Sequence, residues 1–409
     1  QKRIRAIFGA DLSARTVVEQ ILQDVKSHGD RAVSKYMGLI DGVKAEQFEI
    51  PKSDWQKAYS SLSPELNRAL HVSANRITSF HHSALPKSWN DEKEGYGETI
   101  IPLNRVGLYV PGGNASYPST VLMTAIPAKV AGVSEIIVCT AKPTTEVLAA
   151  AHLAQVDRLF SVGGAQAIGA LAFGTESIPK VDKICGPGNI FVSIAKSLVS
   201  GTVDIDGLYG PTETLIIADS TANPMLCAAD LLAQAEHDEM AFPVLLTDDA
   251  ELADKVSDSV IDQLNNLPPD SPARVSVRNN GLIAVLSSLE EAVSLANEFA
   301  PEHLCIQTKD PWNLAPKVKN AGGIFISENS PEVIGDYVAG PSHTMPTGGS
   351  ARFASYLGVH HFVKHVPIIA LDEKTMRKLG PSAAAIANAE GLIAHARSMQ
   401  IRLEDDLNG

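Results

Sequence analysis

The sequence predicts an α/β fold with two mostly parallel β-sheets, and three observations support this prediction. From about residue 100 onward, short apolar runs alternate with helical segments, as in α/β proteins. Most of these runs are continuous and not alternating, which is typical of strands buried on both faces of a parallel sheet. The chain has 409 residues, of which 44% are hydrophobic and 20% charged, and it is too long for a single hydrophobic core. We therefore expect two or three domains.

Two helical stretches precede the alternating region. Residues 13–29 carry apolar side chains at helical spacing, with Ser13 as the expected N-cap and Gly29 as the expected stop signal. A second helical stretch covers about residues 53–84 and is broken by Ser63-Pro64.

The region after residue 100 contains the strands and helices of the predicted sheets. The predicted strands are 106–110, 136–139, 158–162, 183–185, 214–218, 244–247, 282–285 and 323–326. The predicted helices between them include 119–131, 144–155, 165–173, 222–237 and 289–299. The length of this alternation suggests two sheets.

Composition argues against several classes of function. The formal net charge of −13 argues against nucleic acid or an anionic membrane as the main partner. No apolar stretch approaches the roughly 18 residues that would span a bilayer, and we recognise no secretory signal. The four cysteines include no close pair, which excludes a CxxC redox or zinc motif and favours small buried residues. We therefore expect a cytoplasmic protein that binds neither nucleic acid nor membrane.

Three glycine-rich turns each follow a predicted strand. They are Tyr-Val-Pro-Gly-Gly at 109–113, Val-Gly-Gly-Ala-Gln at 162–166 and Gly-Pro-Gly-Asn at 186–189. Each places flexible backbone at the carboxyl end of a strand, where α/β proteins bind nucleotides and phosphates. None has the GxGxxG dinucleotide fingerprint, and any one of them alone is more often a tight turn. Three in one stretch of about 80 residues favour a ligand-binding edge.

A polar cluster ends the predicted helix 222–237. Gln234 and His237 lie three residues apart, so on a helix they project from the same face. An amide oxygen and an imidazole nitrogen directed into one cavity are part of a possible metal site. The alternative is a helix end that becomes polar as it reaches solvent, with His237 placed favourably near the helix dipole.

An acid and an imidazole are adjacent at Glu302 and His303, immediately after Pro301 and before an apolar segment. Because proline restricts the backbone, both side chains are held at the start of a strand. Such a histidine can accept a proton from an alcohol near neutral pH, and the carboxylate can activate water. The alternative is a solvated turn of charged residues.

Two further segments carry candidate ligands. The glycine- and proline-rich loop 335–349 contains Asp336, a hard oxygen donor, and His343, which could bind a metal or a substrate. Near the C-terminus, Glu390 and His395 lie in an alanine-rich helical stretch. A lone histidine on a helix is more often a surface or core residue than a ligand.

Six segments together resemble the histidinol dehydrogenase family, and the resemblance runs in unbroken order from about residue 15 to about residue 398. They are Val-Gly-Leu-Tyr-Val-Pro-Gly-Gly at 106–113, Gly-Gly-Ala-Gln-Ala-Ile at 163–168, Gly-Pro-Gly-Asn at 186–189, Gln-Ala-Glu-His-Asp at 234–238, Ala-Pro-Glu-His at 300–303 and Gly-Asp-Tyr-Val-Ala-Gly at 335–340. The resemblance implies a zinc-dependent enzyme that oxidises L-histidinol through L-histidinal to L-histidine. It also implies the reduction of two NAD per turnover, in the last steps of histidine biosynthesis.

The resemblance also implies a domain organisation. We expect two Rossmann-like α/β/α units, N-terminal helices and a C-terminal helical tail exchanged in a homodimer. Residues 1–108 with 211–357 would form the domain that carries the metal and catalytic residues. Residues 109–210 would bind NAD, and residues 358–409 would contact the partner subunit.

Individual residues match the family's functional positions. One zinc ion per subunit is expected on Gln234, His237, Asp336 and His395. Glu302 and His303 match the catalytic pair. Substrate contacts are expected from the zinc ligands, from His303, and from Thr212, His343 and Glu390. NAD contacts are expected from Tyr109, Gln166 and Asn189, one in each glycine-rich turn. Glu390 and His395 would come from the other chain.

Three departures from the family pattern border the expected substrate pocket. Thr212 stands where serine is usual, Ser342 stands where asparagine is common, and residues 206–209 differ from the usual segment. An alternative is therefore a related zinc- and NAD-dependent dehydrogenase that oxidises a different small polar alcohol. A regulatory protein without activity would have lost Glu302 or His303, and both are present.

Overall fold

Two parallel five-stranded sheets form the framework of the computed structural model, which describes residues 5, 8, 11–43, 47–112 and 116–404. Both sheets belong to the larger of two units, Gln1–Leu85 with Leu103–Phe362. The smaller unit is Pro86–Pro102 with Val363–Gly409. The α/β class with two mostly parallel sheets is confirmed, whereas the finer domain boundaries stay a prediction. Gly113 of the first glycine-rich turn lies outside the described residues.

Helices and two antiparallel strands lie among the described residues before the first parallel sheet. They are α1 (Ala14–Tyr36), α2 (Lys52–Ser60), α3 (Pro64–Ser83), β1 (Trp89–Asp91) and β2 (Tyr96–Pro102). The Ser13 hydroxyl accepts a hydrogen bond from the Thr16 N–H at 3.1 Å, which confirms the predicted N-cap of α1. Ser63 caps α3 in the same way, and Pro64 is the first helical residue, so the predicted break is also confirmed.

The first helix is interrupted at Gly29, as predicted, but a further helical segment that was not predicted follows at once and extends to Tyr36. Gly29 has φ of +52°, and a Cβ atom at this position would collide with the Glu176 carboxylate. That carboxylate accepts a hydrogen bond from the Asp30 N–H at 2.7 Å. The resumed segment is held by burial of its apolar side chains, which include Val33.

The first parallel sheet consists of β3 (Arg105–Tyr109), β4 (Glu135–Cys139), β5 (Arg158–Phe160), β6 (Lys183–Cys185) and β7 (Asp204–Ile205). Its helices are α4 (Pro118–Ala131), α5 (Thr145–Leu153), α6 (Gly164–Phe173) and α7 (Ile190–Val199). The spatial order of the strands is β5-β4-β3-β6-β7. Helices α1, α6 and α7 share a hydrophobic core with this sheet. The central strands are buried along almost their whole length, which explains their continuous apolar sequences.

The second parallel sheet consists of β8 (Glu213–Ala218), β9 (Phe242–Thr247), β10 (Leu282–Val285), β11 (His303–Gln307) and β12 (Gly323–Ile326). Its helices are α8 (Pro224–Ala235), α9 (Ala250–Asn266), α10 (Pro272–Asn280), α11 (Leu289–Phe299), α12 (Pro311–Leu314) and α13 (Glu332–Tyr337). The spatial order is β10-β9-β8-β11-β12. Alternate residues of β8 face two different cores, one with α8, α9 and α10 and one with α11 and α12. The sheet is therefore covered on both faces.

The smaller unit combines an antiparallel sheet with two helices. These elements are β13 (Val363–Ile369), α14 (Glu373–Ala389) and α15 (Ile393–Leu403). Strand β2 lies between β1 and β13. Helices α14 and α15 pack against each other. Nowhere in the described part of the chain is a helix long and apolar enough to cross a membrane.

A buried imidazole in α3 lacks the hydrogen bonds that burial normally requires. His81 is fully buried, and neither ring nitrogen has a hydrogen-bond partner among the residues that the structure describes. Its ring lies 5.2 Å from that of Phe80 and 6.4 Å from that of Tyr356. Burial, with a smaller effect from His360, lowers the pKa of His81 from 6.5 to about 4. The folded chain therefore holds this imidazole neutral among aromatic rings.

We expect His81→Phe to stabilise the protein, and to do so more strongly in acid. The substitution removes an unsatisfied buried polar group, which costs about 1–3 kcal/mol. Between about pH 6.5 and 4 the unfolded wild-type chain binds a proton at His81 that the folded chain does not. Wild-type stability therefore falls as the pH drops through this window. We expect a Tm increase of about 2 °C at pH 7.5 and a larger one at pH 5.0, measured by thermal unfolding.

The neighbouring exposed residue supplies the control, because His82→Phe changes the same side chain without removing a buried imidazole. A Tm difference between His81→Phe and wild type that does not grow on acidification would contradict this account.

Candidate active site

The pairing of β8 with β11 brings the predicted catalytic pair beside Thr212. His303 is the first residue of β11 and lies opposite Thr214 in the parallel register. Thr212 and Glu213 therefore lie beside Glu302 and His303 at the amino ends of neighbouring strands. The predicted placement of Glu302 and His303 at a strand start is confirmed.

Glu302 is buried and held through one carboxylate oxygen. Its Oε2 accepts hydrogen bonds from the Thr212 hydroxyl at 2.7 Å and from the Glu213 N–H at 3.3 Å. Burial raises the pKa of Glu302 to about 7, against the opposing effects of His303 and of these two donors. The Thr212 hydroxyl also lies 2.9 Å from Gln234 Oε1. The Thr212 hydroxyl has one hydrogen and can donate to only one of these two oxygens. If it donates to Gln234, a protonated Glu302 can donate to the Thr212 oxygen, and both contacts are then hydrogen bonds.

His303 is buried with its two ring nitrogens in different environments. Its Nδ1 lies 3.3 Å from the backbone carbonyl oxygen of Glu213. Because a carbonyl oxygen can only accept, Nδ1 carries the hydrogen, and Nε2 is left as the basic nitrogen. Nε2 has no hydrogen-bond partner within the described residues, and Asp336 Oδ1 is 3.8 Å away. Burial would lower the pKa of His303, but neighbouring carboxyl groups, that of Glu302 first, outweigh burial and raise it to about 10.

Asp336 lies in α13 and is surrounded by imidazoles. Burial alone would raise its pKa, but nearby histidines outweigh burial and lower it. These histidines are His303, His343 and His237. An ionised carboxylate among imidazoles is a suitable partner for a divalent cation.

His343 uses both ring nitrogens in contacts within the larger unit. Its Nδ1 donates to the backbone carbonyl of Asp336 at 3.0 Å, and its Nε2 lies 3.3 Å from the Thr120 hydroxyl. Burial lowers the pKa of His343. The imidazole is therefore held in its neutral form beside the predicted metal ligand Asp336.

Gln234 and His237 do not share one helix, which corrects the prediction of a helix over 222–237. Helix α8 ends at Ala235, and His237 lies in the following turn, where its N–H donates to the Gln234 carbonyl at 3.2 Å. Glu236 occupies the C-cap. Gln234 is buried and His237 is exposed. The helix ends early because the chain turns toward β9, where Phe242 begins the next strand.

Two buried carboxyl groups near the pair were missed by sequence reasoning. Glu213 accepts a hydrogen bond from the Gly348 N–H at 2.9 Å, and Glu332 accepts from Cys305 Sγ at 3.1 Å and from the Thr214 hydroxyl. The second oxygen of each carboxyl group has no hydrogen-bond partner in the part of the chain that is described. Burial raises the pKa of both. Two features of the sequence could have indicated them. Glu213 stands directly before an apolar strand, and Glu332 stands directly after Pro331.

Glu390 and His395 belong to the smaller unit. Glu390 is the C-cap of α14, and His395 lies in the first turn of α15. Both side chains are exposed in the single chain.

Within the described residues, no group of three or more His, Cys, Asp or Glu side chains is placed to hold a metal ion. The predicted zinc set includes one amide, Gln234, and one residue of the smaller unit, His395. The other three predicted ligands lie in the larger unit. Asp336 contributes a carboxylate, His237 an imidazole and Gln234 an amide oxygen. These donor types fit zinc, and the lowered pKa of Asp336 keeps its carboxylate ionised.

The first sheet has a topological switch point of the kind at which α/β proteins bind coenzymes. The chain passes from β3 through β4 to β5 on one side and continues with β6 and β7 on the other. The switch point therefore lies between β3 and β6, at the carboxyl ends of the strands. Tyr109 ends β3, and Gly186 follows β6. A Cβ atom on Gly186 would collide with the Tyr109 carbonyl oxygen, so glycine permits this close approach.

The three residues predicted to contact NAD lie in the turns at this edge. The Tyr109 hydroxyl accepts a hydrogen bond from the Gly164 N–H at 3.1 Å. Gln166 is fully buried, and among the described residues neither atom of its side-chain amide has a partner. Asn189 caps α7 through Oδ1, at 3.0 Å from the Phe191 nitrogen, which leaves its NH₂ group for a ligand. The unsatisfied amide and the helix N-terminus fit a dinucleotide.

Comparisons with known proteins identify the family of this chain. A family model described as histidinol dehydrogenase matches residues 9–403. The histidinol dehydrogenase of Aquifex aeolicus is 50% identical over 392 residues, which cover 95% of this chain and 92% of that protein. That of Dehalococcoides mccartyi is 48% identical over 393 residues, which cover 95% and 90%.

A solved structure agrees as well. The crystal structure of histidinol dehydrogenase from Elizabethkingia anophelis has a TM-score of 0.93 and 35% sequence identity, and it covers 98% of this chain and 94% of that one. The resemblance inferred from the sequence motifs is therefore confirmed. The chain belongs to the histidinol dehydrogenase family.

Proposed function

We propose that this protein oxidises L-histidinol through L-histidinal to L-histidine, with NAD as the hydride acceptor in both steps. The observation that carries the proposal is the buried Glu302–His303 pair, in a chain of the histidinol dehydrogenase family. Oxidation of an alcohol to an acid needs a base for the hydroxyl proton and a second base for water. The pair offers both, as an imidazole with a free Nε2 and a carboxyl group whose pKa is raised toward neutrality.

The cofactors proposed are one zinc ion per subunit and NAD. Gln234, His237 and Asp336 would hold zinc together with His395, and the turns of Tyr109, Gln166 and Asn189 would hold NAD. When bound, zinc anchors the substrate's amino and imidazole nitrogens, and NAD accepts one hydride in each oxidation. Thr212 and His343 would contact the substrate from beside Glu302 and Asp336, and Glu390 would contact it from the partner chain.

His303 would act in the first oxidation. Its Nδ1 bond to the Glu213 carbonyl oxygen fixes the ring, so Nε2 is the atom that accepts the hydroxyl proton. The neighbouring carboxylates stabilise the imidazolium that forms. A positive charge bound at Asp336 would offset part of their effect and lower the pKa of His303 toward the range in which a base works near neutrality.

Glu302 would act on the aldehyde. Both of its hydrogen bonds use Oε2, so Oε1 is the oxygen that takes a proton from the attacking water. The hydrated aldehyde then loses the second hydride, while His303 Nε2 takes a proton from one of its hydroxyl groups, and becomes the carboxylic acid. No thiol is required, and all four cysteines are buried with raised pKa values. This supports direct attack of water over a thioester route.

We further propose a homodimer in which each active site is completed by the partner. The exposure of Glu390 and His395 in the single chain supports this proposal. A zinc ligand needs burial among other donors, which neither of these side chains has in its own unit. The C-terminal unit would thus contribute one zinc ligand and one acid across the dimer.

With excess NAD, the purified chain should produce about two NADH for each L-histidinol consumed. Removal of zinc with EDTA should abolish NADH formation, and added zinc should restore it, because the substrate is anchored on the metal. NADH absorbance and the yield of L-histidine provide the measurement. If another amino alcohol is oxidised and L-histidinol is not, the substrate assignment is wrong.

Substitution of the catalytic pair should separate its two roles. His303→Ala should slow NADH formation from both L-histidinol and L-histidinal by about 10²–10⁴-fold, because each oxidation releases a hydroxyl proton, from the alcohol or from the hydrated aldehyde, and the acceptor of both is lost. Glu302→Gln should slow oxidation of L-histidinal more than the first oxidation of L-histidinol, because only the former consumes water. Single-turnover kinetics with each substrate measure the two steps.

Zinc content should remain that of the wild type in both variants, since neither residue is a proposed ligand. Exposed residues of the same types give matched controls, namely His28→Ala and Glu298→Gln. Equal slowing of both steps by Glu302→Gln would remove Glu302 from its role with water.

Mixing two inactive variants should restore activity if the sites are shared. In a heterodimer of His303→Ala and His395→Ala, one site carries both substitutions and the other carries none. Random mixing should therefore recover about a quarter of wild-type activity, since half of the dimers are mixed and each has one intact site. Differently tagged, co-expressed subunits allow the mixed dimer to be purified and assayed. Mixed dimers that stay inactive would show that each chain builds its own site.

A further inference from the structure

A buried ion pair lies directly behind the third glycine-rich turn. Lys196 of α7 and Asp206, which follows β7, have almost no exposed side-chain surface, and Lys196 Nζ lies 2.5 Å from Asp206 Oδ1. Taking two charges out of water is costly, and a buried ion pair often stabilises a fold less than apolar residues of the same volume would. Stability alone is therefore a poor explanation for this pair.

The pair binds both peptide groups that flank one turn residue. The Gly186 N–H donates to Asp206 Oδ2 at 2.6 Å, and Lys196 Nζ donates to the Gly186 carbonyl oxygen at 3.0 Å. Gly186 has φ of +110°, and its backbone lies against the Tyr109 carbonyl at the end of β3. The pair thus clamps the chain at the switch point of the first sheet, where β6 ends and the turn toward Asn189 begins.

The same pair contacts the segment that leads to the catalytic residues. Lys196 Nζ lies 4.9 Å from the centroid of the Tyr209 ring, within the range of a cation–π interaction. The Ser193 hydroxyl of α7 donates to the Tyr209 carbonyl at 3.2 Å. Three residues later the chain reaches Thr212, which binds Glu302. The lysine is therefore enclosed between the turn, its own helix and this segment.

We propose that Lys196 and Asp206 are positioning residues for the coenzyme, because they set the place of the Gly186–Asn189 turn and of the α7 N-terminus. The inference rests on the proposed binding of NAD at this edge. Lys196 is itself too buried to reach a phosphate, so its effect passes through the backbone of Gly186. The turn then presents the Asn189 side-chain NH₂ group at the positive end of the α7 dipole to the pyrophosphate, while Asn189 Oδ1 caps the Phe191 and Val192 N–H groups.

The chain contains a matched control for this pair. Lys183, at the other end of β6, is also buried, and its Nζ lies 2.8 Å from Oδ2 of Asp204 in β7. Lys183→Met and Lys196→Met thus make the same chemical change on neighbouring elements, and only the second removes a bond to the turn. In zinc-loaded protein we expect Lys196→Met to raise the Kd and the KM for NAD by about tenfold or more, equivalent to about 1.4 kcal/mol.

In the same variant the KM for L-histidinol and the kcat at saturating NAD should stay within about twofold of wild type, because the bond between the Gly186 N–H and Asp206, which anchors the segment leading to Thr212, is kept. Lys183→Met should leave the Kd for NAD unchanged, even if it lowers the Tm by as much as Lys196→Met does. NAD binding is measured by calorimetry, and Tm by thermal unfolding. If Lys196→Met leaves an uncompensated Asp206 that prevents folding, Lys196→Met/Asp206→Leu removes both charges and is tested in the same way.

The outcomes separate this inference from the proposed function. Wild-type protein that binds no NAD would overturn both. Wild-type protein that binds NAD, together with Lys196 variants that lose Tm but bind NAD equally well, would overturn only the positioning role. A rise in the Kd for NAD of the same size in Lys183→Met would also overturn it, because the effect would then follow from general destabilisation.

Discussion

The parallel pairing of β8 with β11 is the constraint on which the candidate active site depends. It joins two stretches of chain about 90 residues apart, and its register places His303 opposite Thr214. Only in this register does the Glu213 carbonyl meet Nδ1 of His303 while the Glu213 N–H meets Glu302. A shift of one residue would turn every side chain of β11 to the opposite face of the sheet. Strand register therefore leaves His303 Nε2, the proposed proton acceptor, without a hydrogen-bond partner in the described part of the chain.

The site concentrates acidic groups where water is scarce. Glu213, Glu302 and Glu332 are all buried, and burial raises the pKa of each. Such groups favour a positive neighbour, whether a protonated His303, a metal ion at Asp336 or a cationic amino alcohol. An anionic substrate would face the opposite effect. The electrostatics of the pocket thus agree with the charge of L-histidinol independently of the comparison with relatives.

Sequence reasoning succeeded where local pattern and burial coincide. Continuous apolar runs predicted eight strands of the two parallel sheets, of which six are buried along most of their length, whereas the edge strands β10 and β12 are partly exposed. The three strands of the smaller unit were missed; β13, for example, is exposed in all residues but its first, and Lys364, His365 and Pro367 interrupt its apolar side chains. Glu302 and His303 are adjacent in sequence and could be recognised as a pair. Glu332 could not, because its contact with Thr214 spans 118 residues and arises only when the second sheet forms.

In the proposed reaction, the two sheets contribute opposite edges. The proposed coenzyme turns lie at the carboxyl ends of the first sheet, whereas Glu302 and His303 lie at the amino ends of the second. A short segment, residues 206–212, connects the two edges. At its start Asp206 binds Gly186 of the third glycine-rich turn, and at its end Thr212 binds Glu302. Midway, the Gly210 N–H donates to the Thr347 hydroxyl at 2.7 Å, which ties this segment to the loop that contacts Glu213. Hydride transfer requires reacting atoms about 3–3.5 Å apart, so a short connector fixed at both ends is a physical means of holding the two edges to that tolerance.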